Sequence, residues 1–302
     1  MSRPPDDATV LIRPRKEAGK RRWLLIGVGL LVAAMVAAGL WWRLAPSVDR
    51  IAIRPADEAM IRDNATTELD VFRFALNPRI LVLDFKRLAR QGAMLNRLAA
   101  MAEKLGAPHD EALDDAALDR VIRAGGDTPE TFYLGHDYGE SELTKFFASV
   151  DRQKLTLSVD EQWLRRLLRQ EANATGALSI ISVPALNAPA GVDPVTRASI
   201  LHHELSHGEF FTNPAYAAYV RGFWANGLEP SQRAAFTRFL TAENYDPAIE
   251  ELLANEMQAY LMFTANPKFF TPRLVDMDDA AIERLRAKFR AGMPKGWLRD
   301  TP

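Results

Sequence analysis

Twenty consecutive residues, Trp23–Trp42, carry no charge and no strongly polar side chain. As a helix, a run of this length matches the hydrocarbon thickness of a bilayer. Tryptophans at both ends suit the two membrane interfaces. The preceding segment, Met1–Arg22, holds seven basic and three acidic residues, and Lys20-Arg21-Arg22 directly abuts the run. The positive-inside rule then keeps this tail in the cytoplasm and puts everything after Trp42 outside. The alternative, a cleavable signal peptide, fits less well. The run is long for one, and its Gly39-Leu40-Trp41-Trp42 exit is a poor cleavage site. The expected organisation is a disordered cytoplasmic tail (1–22), a single-pass anchor (23–42) and an extracytoplasmic domain (45–302). The expected address is a bacterial inner (cytoplasmic) membrane with the main domain periplasmic. Gly29, Ala33 and Ala37 form a small-residue row that suits weak self-association through the anchor.

The 260 residues after Trp42 are enough for one large or two small packed units. Setting the tail's charges aside from the chain's 38 basic and 39 acidic residues leaves 31 against 36. This acidic balance argues against nucleic acid and against a polybasic lipid-binding surface. The chain has no cysteine, which rules out both a lipoprotein anchor and disulfides.

Histidine is scarce, with five in the chain, yet three of them stand at His202, His203 and His207. His203-Glu204-Leu205-Ser206-His207 is an HExxH motif. On a helix its two histidines lie one turn apart on the same face. There they can share a zinc ion, with the glutamate within reach of the water that would attack a substrate. Asp193-Pro194 supplies an N-cap and a first helical residue. Gly208 stands where a helix of about four turns would end. The plain alternative is an amphipathic helix with surface histidines.

A catalytic zinc usually has three protein ligands. No histidine follows His207, so a third ligand is a downstream carboxylate unless His109 or His136 returns from upstream. Asp246-Pro247 reads as the start of a second helix whose apolar line is Ile249, Leu252, Leu253 and Tyr260. Glu256 falls inside that line. A carboxylate on a buried stripe is costly unless it is paired or binds a metal. Glu250 and Glu251 fit a solvated first turn and rank behind it. The competing reading of Glu256 is a buried ion pair with an arginine.

HExxH on one helix followed by Asn255-Glu256 on a later one resembles the gluzincin clan of zinc metallopeptidases. The resemblance covers about a tenth of the chain. The separation of His207 from Glu256, 49 residues, exceeds that of the thermolysin-like members. It implies His203, His207 and Glu256 as zinc ligands and Glu204 as general base. It also implies an extended peptide held along a strand near the motif helix, for which Ala177–Pro184 is the nearest sequence neighbour. Where the thermolysin-like pattern places an aspartate soon after the ligand glutamate, to support a zinc histidine, this chain has Tyr260 four residues on. Tyr260, Tyr245, His136 and His202 are the candidates for stabilising the oxyanion, with Tyr260 one turn from Glu256. His202 points about 100° away from His203 and suits a supporting or surface role.

Elsewhere the pattern predicts strands over 66–76 and 79–85 around Asn77-Pro78. It predicts helices over 86–106, 114–123, 141–150 and 159–172, and after the motif over 214–226, 230–241, 247–263 and 278–293. The aromatic segment Phe210–Phe223 serves as a cleft wall or, for Tyr216, Tyr219, Phe223 and Trp224, as core. The expected fold class is α+β, a mostly helical zincin-like domain with a small sheet, preceded by a single transmembrane helix. The expected function is a membrane-anchored, zinc-dependent metallopeptidase acting on a peptide or protein. Two alternatives stand beside it: a non-catalytic tethered binding or assembly module, and a zinc amidase acting on cell-wall material.

Overall fold

The computed structural model describes residues 50–172, 176–186 and 192–300. The expected tail and anchor lie outside the described residues. Among those described, no helix is long and apolar enough to cross a membrane.

The apolar run Ile80-Leu81-Val82-Leu83-Asp84-Phe85 forms a strand buried along its whole length, as expected for a strand covered on both faces. Strands are numbered in chain order: β1 (Arg54–Ala56), β2 (Leu69–Phe74), β3 (Ile80–Phe85), β4 (His136–Gly139) and β5 (Ser179–Pro184). Among the described residues they make one mixed sheet in the order β1-β2-β3-β5-β4. β2 and β3 form the hairpin expected around Asn77-Pro78, with Phe72 opposite Val82. β3 runs parallel to β5, and β4 closes the edge antiparallel to β5.

Alternation along β3 divides the core. Leu81, Leu83 and Phe85 face one layer, where Met94, Leu95 and Leu98 pack. Those residues belong to the first of three helices spanning Leu88–Glu103, Glu140–Gln153 and Val159–Glu171. Ile80 and Val82 face Ile200, Leu201 and Leu205 of the motif helix, Pro194–Thr212. Beyond it, helices Pro214–Gly222, Pro230–Ala242, Glu250–Phe263 and Asp279–Gly292 close around a third apolar core. The α+β expectation, mostly helical with a small sheet, therefore holds. The aromatic residues Tyr216, Phe223 and Trp224 are core residues of that last cluster, as the plainer reading had it.

Several boundaries differ for physical reasons. Asp193 does cap the motif helix, accepting from the Thr196 amide, with Pro194 at its first position. The helix does not stop at Gly208 but runs 19 residues to Thr212. Gly208 is instead a packing glycine, since a Cβ there would meet the Ile80 side chain at 2.8–3.0 Å. The second helix begins at Glu250, not at Pro247. Asp246 is occupied with a turn, accepting from the Ala248 amide 2.8 Å away. The expected 214–226 helix gives way to a π-turn over Phe223–Gly227.

Candidate metal centre

The motif helix lies against β5, β4 and the Glu250–Phe263 helix. A buried polar network sets its register with that helix. Tyr216 Oη donates to Gln258 Oε1 (2.7 Å), Gln258 Nε2 donates to Ser206 Oγ (3.1 Å), and Ser206 Oγ donates to the His203 carbonyl (2.7 Å). At its other end the motif helix is tied down by Arg197, which has no exposure. Its guanidinium bonds both oxygens of Asp84 (2.9 and 2.8 Å) and the carbonyls of Ile61 (2.7 Å), Arg62 (2.9 Å) and Pro184.

These ties bring together three of the residues expected as ligands. His203 Nε2 and His207 Nε2 lie 3.0 Å apart. Glu256 Oε2 is 3.8 Å from the first, and Glu256 Oε1 is 3.6 Å from the second. Glu256 is buried with a histidine pair and, among the described residues, no arginine at its carboxylate, which tells against the ion-pair alternative there. Glu250 instead accepts from Trp224 Nε1, and Glu251 pairs with Arg221. His109 is bound to Asp246 and the Met101 carbonyl, away from the motif. His136 faces the other side of the sheet edge, where its Nδ1 meets Gln91 and Ser182. Neither is brought back as a ligand.

The hydrogen bonds behind the imidazoles settle which nitrogens face inward. Thr264 Oγ1 gives its own hydrogen to the Ala259 carbonyl (2.9 Å). At 2.7 Å from His203 Nδ1 it must therefore accept, so Nδ1 carries the hydrogen and Nε2 the lone pair. Without a metal, His207 Nε2 can donate its hydrogen to the His203 Nε2 lone pair across that 3.0 Å. A cation held between the two would take both lone pairs and leave the His207 hydrogen on Nδ1, which faces the Asp137 carboxylate at 3.6 Å. Zn–N bonds of about 2.0–2.1 Å put tetrahedral ligands roughly 3.3 Å apart, close to the spacing found. Glu256 Oε2 is buried and has no hydrogen-bond partner. The three side chains fit a zinc ion.

Electrostatics agree. Burial, helped by His207 and His202, holds the His203 imidazole well below its ordinary value, which keeps it neutral as a ligand must be. Burial also pushes Glu204 well above the usual carboxylate range, and Asp137, Glu256 and Glu103 add to the shift. The same causes act on Glu256, opposed by the Tyr245 hydroxyl. Glu204 Oε2 is buried and unpaired. Its carboxylate lies against Gly135, where any side chain would collide with it. His203 and Glu204 line a cavity of about 180 Å³ whose other walls include Tyr133, Leu134, Ile200, Tyr260 and Phe269.

Tyr260 stands edge-on to the His203 ring, 4.9 Å between centroids, and the Tyr245 hydroxyl engages its own. His202 is not among the converging side chains and pairs with Glu58 at 3.0 Å. Sequence reasoning missed three contributors. Asp137 takes the place behind His207 that the residue at Tyr260 does not fill. Thr264 stands behind His203, and Tyr133 lines the same cavity with a buried, unpaired hydroxyl. Asp137 and the adjacent segment belong to β4, whose His136-Asp137-Tyr138-Gly139 lacks the apolar alternation that marks a strand. The segment nearest the motif in sequence, Ala177–Pro184, holds β5. β5 is paired on both sides, so β4 is the edge strand beside the motif helix. No protein-family model, curated protein or solved structure matches this chain.

Proposed function

We propose that the chain is a zinc-dependent hydrolase of peptide bonds, built on His203, His207 and Glu256 with Glu204 as general base. The observation that carries this reading is the convergence of two imidazole Nε2 atoms and the Glu256 carboxylate at 3.0–3.8 Å, beside a buried Glu204 whose Oε2 has no hydrogen-bond partner. A zinc ion held there supplies a water that ionises near neutral pH and a Lewis acid for the scissile carbonyl. Glu204 takes the proton of the attacking water and delivers it to the leaving amine. Thr264 and Asp137 orient the two imidazoles from behind. Tyr133 and Tyr260 both reach the cavity. Because the Tyr260 hydroxyl is already engaged, Tyr133 is the better donor to the developing oxyanion. The edge of β4 is free to take an extended chain by main-chain hydrogen bonds. With Trp23–Trp42 as an anchor, the enzyme would work on substrates near a membrane.

Metal analysis of the full-length protein tests this. One zinc per chain is expected, falling to none in a folded Glu256→Ala variant. Glu204→Gln should keep the zinc and lose about 10²–10⁴-fold in turnover on peptide libraries. Zinc held by four protein side chains would overturn the reading in favour of a structural site. Hydrolysis of cell-wall amides in preference to peptides would move the substrate class and leave the machinery intact.

A further inference from the structure

The candidate metal centre is closed. His207, Glu256 and Glu204 are 0 %, 1 % and 6 % exposed. The cavity that reaches His203 and Glu204 holds about 180 Å³. Pockets that take a small organic ligand hold roughly 300–1,000 Å³, so an extended peptide does not fit. A groove of about 490 Å³ runs along Asp137, Tyr138 and Gly139 of β4, but none of His203, Glu204, His207 and Glu256 lines it. A wall of the small cavity must therefore move before a peptide bond meets these side chains.

Much of that wall is regular structure. Ser199, Ile200, His203 and Glu204 belong to the motif helix, and Tyr260 belongs to the Glu250–Phe263 helix. Thr131–Gly135 differs, because the chain from Gly125 to Gly135 is neither helix nor strand. Gly126 has φ +82°, a conformation open to glycine. At the other end, a Cβ on Gly135 would meet Glu204 Oε1 at 2.1 Å, so the closed position requires glycine there. Between these ends, the Thr131 and Phe132 amides bond a local carbonyl, that of Thr128. Side chains of one neighbouring element tie the segment down. Asn96 Nδ2 donates to the Pro129 carbonyl (2.8 Å), and Gln91 Nε2 donates to the Leu134 carbonyl (2.9 Å). Lys104 lays its Nζ over the rings of Phe132 and Tyr133, at 4.4 and 5.1 Å. All three stand on the Leu88–Glu103 helix or at the residue that ends it. Phe132 is the one buried side chain of 127–135. Such a segment can detach without breaking the sheet.

We propose that Asp127–Gly135 is a lid over the metal centre, hinged at Gly125-Gly126 and at Gly135, which opens to admit substrate and on closing returns Tyr133 to the cavity. What the lid admits rests on the hydrolase reading; the opening itself does not. Tyr133 rides on this segment and lines the cavity. Closure therefore shuts out water and brings in the oxyanion donor together, in one movement.

The chain has no cysteine, so Ser199→Cys places a single thiol on the cavity wall, at a residue 7 % exposed. Full-length protein carrying it is reacted with a thiol reagent in urea below the unfolding transition. Labelling much faster than global unfolding, with a shallow urea dependence, is expected of local opening. Asn96→Ala in the same background should speed labelling about three- to tenfold, the shift that one lost hydrogen bond produces. Gly92→Ala should also speed it, because a Cβ there would meet the Pro129 carbonyl oxygen at 2.3 Å and displace the segment. Ile200→Cys, on the same wall, is the reporter if Ser199→Cys does not fold. Labelling with the urea slope of global unfolding would overturn the lid, and so would a rate that Asn96→Ala leaves unchanged. The reaction is run with and without zinc. A chain that opens but binds no zinc and cleaves no peptide would keep the lid and sink the hydrolase. A chain that binds zinc and cleaves peptides while its thiol stays closed would do the reverse.

Discussion

The two halves of the motif helix bury charge in opposite ways. Near its start, Arg197 is fully buried and closed off, with Asp84 and three backbone carbonyls taking its donors. Two turns later, the chain gathers His203, Glu204, His207, Glu256 and Asp137 and leaves Glu204 Oε2, Glu256 Oε2 and His207 Nδ1 without hydrogen bonds. The first cluster is complete as it stands and holds the helix to the sheet. The second leaves buried polar atoms unanswered. A buried polar group left unpaired costs stability, so one helix carries both a closed structural tie and an open cluster that could hold a metal ion.

The largest expected effect lies outside that helix, at a buried group on β4 that is likewise left short of a partner. His136 is buried with its Nε2 unpaired, and burial pushes it down to about 3. In the folded state it binds fewer protons than in the unfolded state. Its contribution is therefore full above about pH 6.5 and is lost as pH falls towards about 3. The loss amounts to roughly 4–5 kcal/mol across that window. Urea denaturation from pH 7 to pH 4 should show this slope, and His136→Gln should flatten it. Next, Arg197→Met leaves Asp84 buried and uncompensated and should cost about 3–5 kcal/mol of stability, read by urea denaturation. If it costs less than the neutral swap Glu204→Gln, the two halves do not differ as described. Glu204→Gln should leave stability unchanged or improve it, because it removes a buried, unpaired ionisable group. An effect confined to the metal cluster belongs to Thr264→Val, which takes away the acceptor behind His203. Zinc affinity should fall about 10–100-fold with the fold intact, measured by competition with a chelator. An unchanged affinity would mean that the tautomer of His203 is set some other way.

Much of the site was legible because its parts are local. HExxH needs only a helix to put His203 and His207 on one face, and Asp193-Pro194 starts that helix by capping chemistry alone. Glu256 was legible as a polar residue on an apolar stripe, a conflict that burial makes costly. The helices after the motif follow from their apolar periodicity. What was hidden has no local signature. Asp137 lies on a strand of four residues with no alternating pattern, and it reaches His207 only because β4 pairs with β5. Gly208 reads as a helix end when sequence is considered alone. It is an interior residue because Ile80 of β3 occupies the space a side chain would fill.

From the sequence alone came the chemistry: two histidines a turn apart, a glutamate between them, a stranded carboxylate 49 residues on and an uncharged run near the start. Each is a property of a single segment, set by helical periodicity or by the cost of burying charge. Tertiary structure decided what surrounds that chemistry. It chose Thr264 and Asp137 to stand behind the imidazoles, put β4 and not β5 at the sheet edge, and brought Glu103 beside Glu256. These are contacts between segments far apart in the chain, and only the packing of helices against one sheet can specify them.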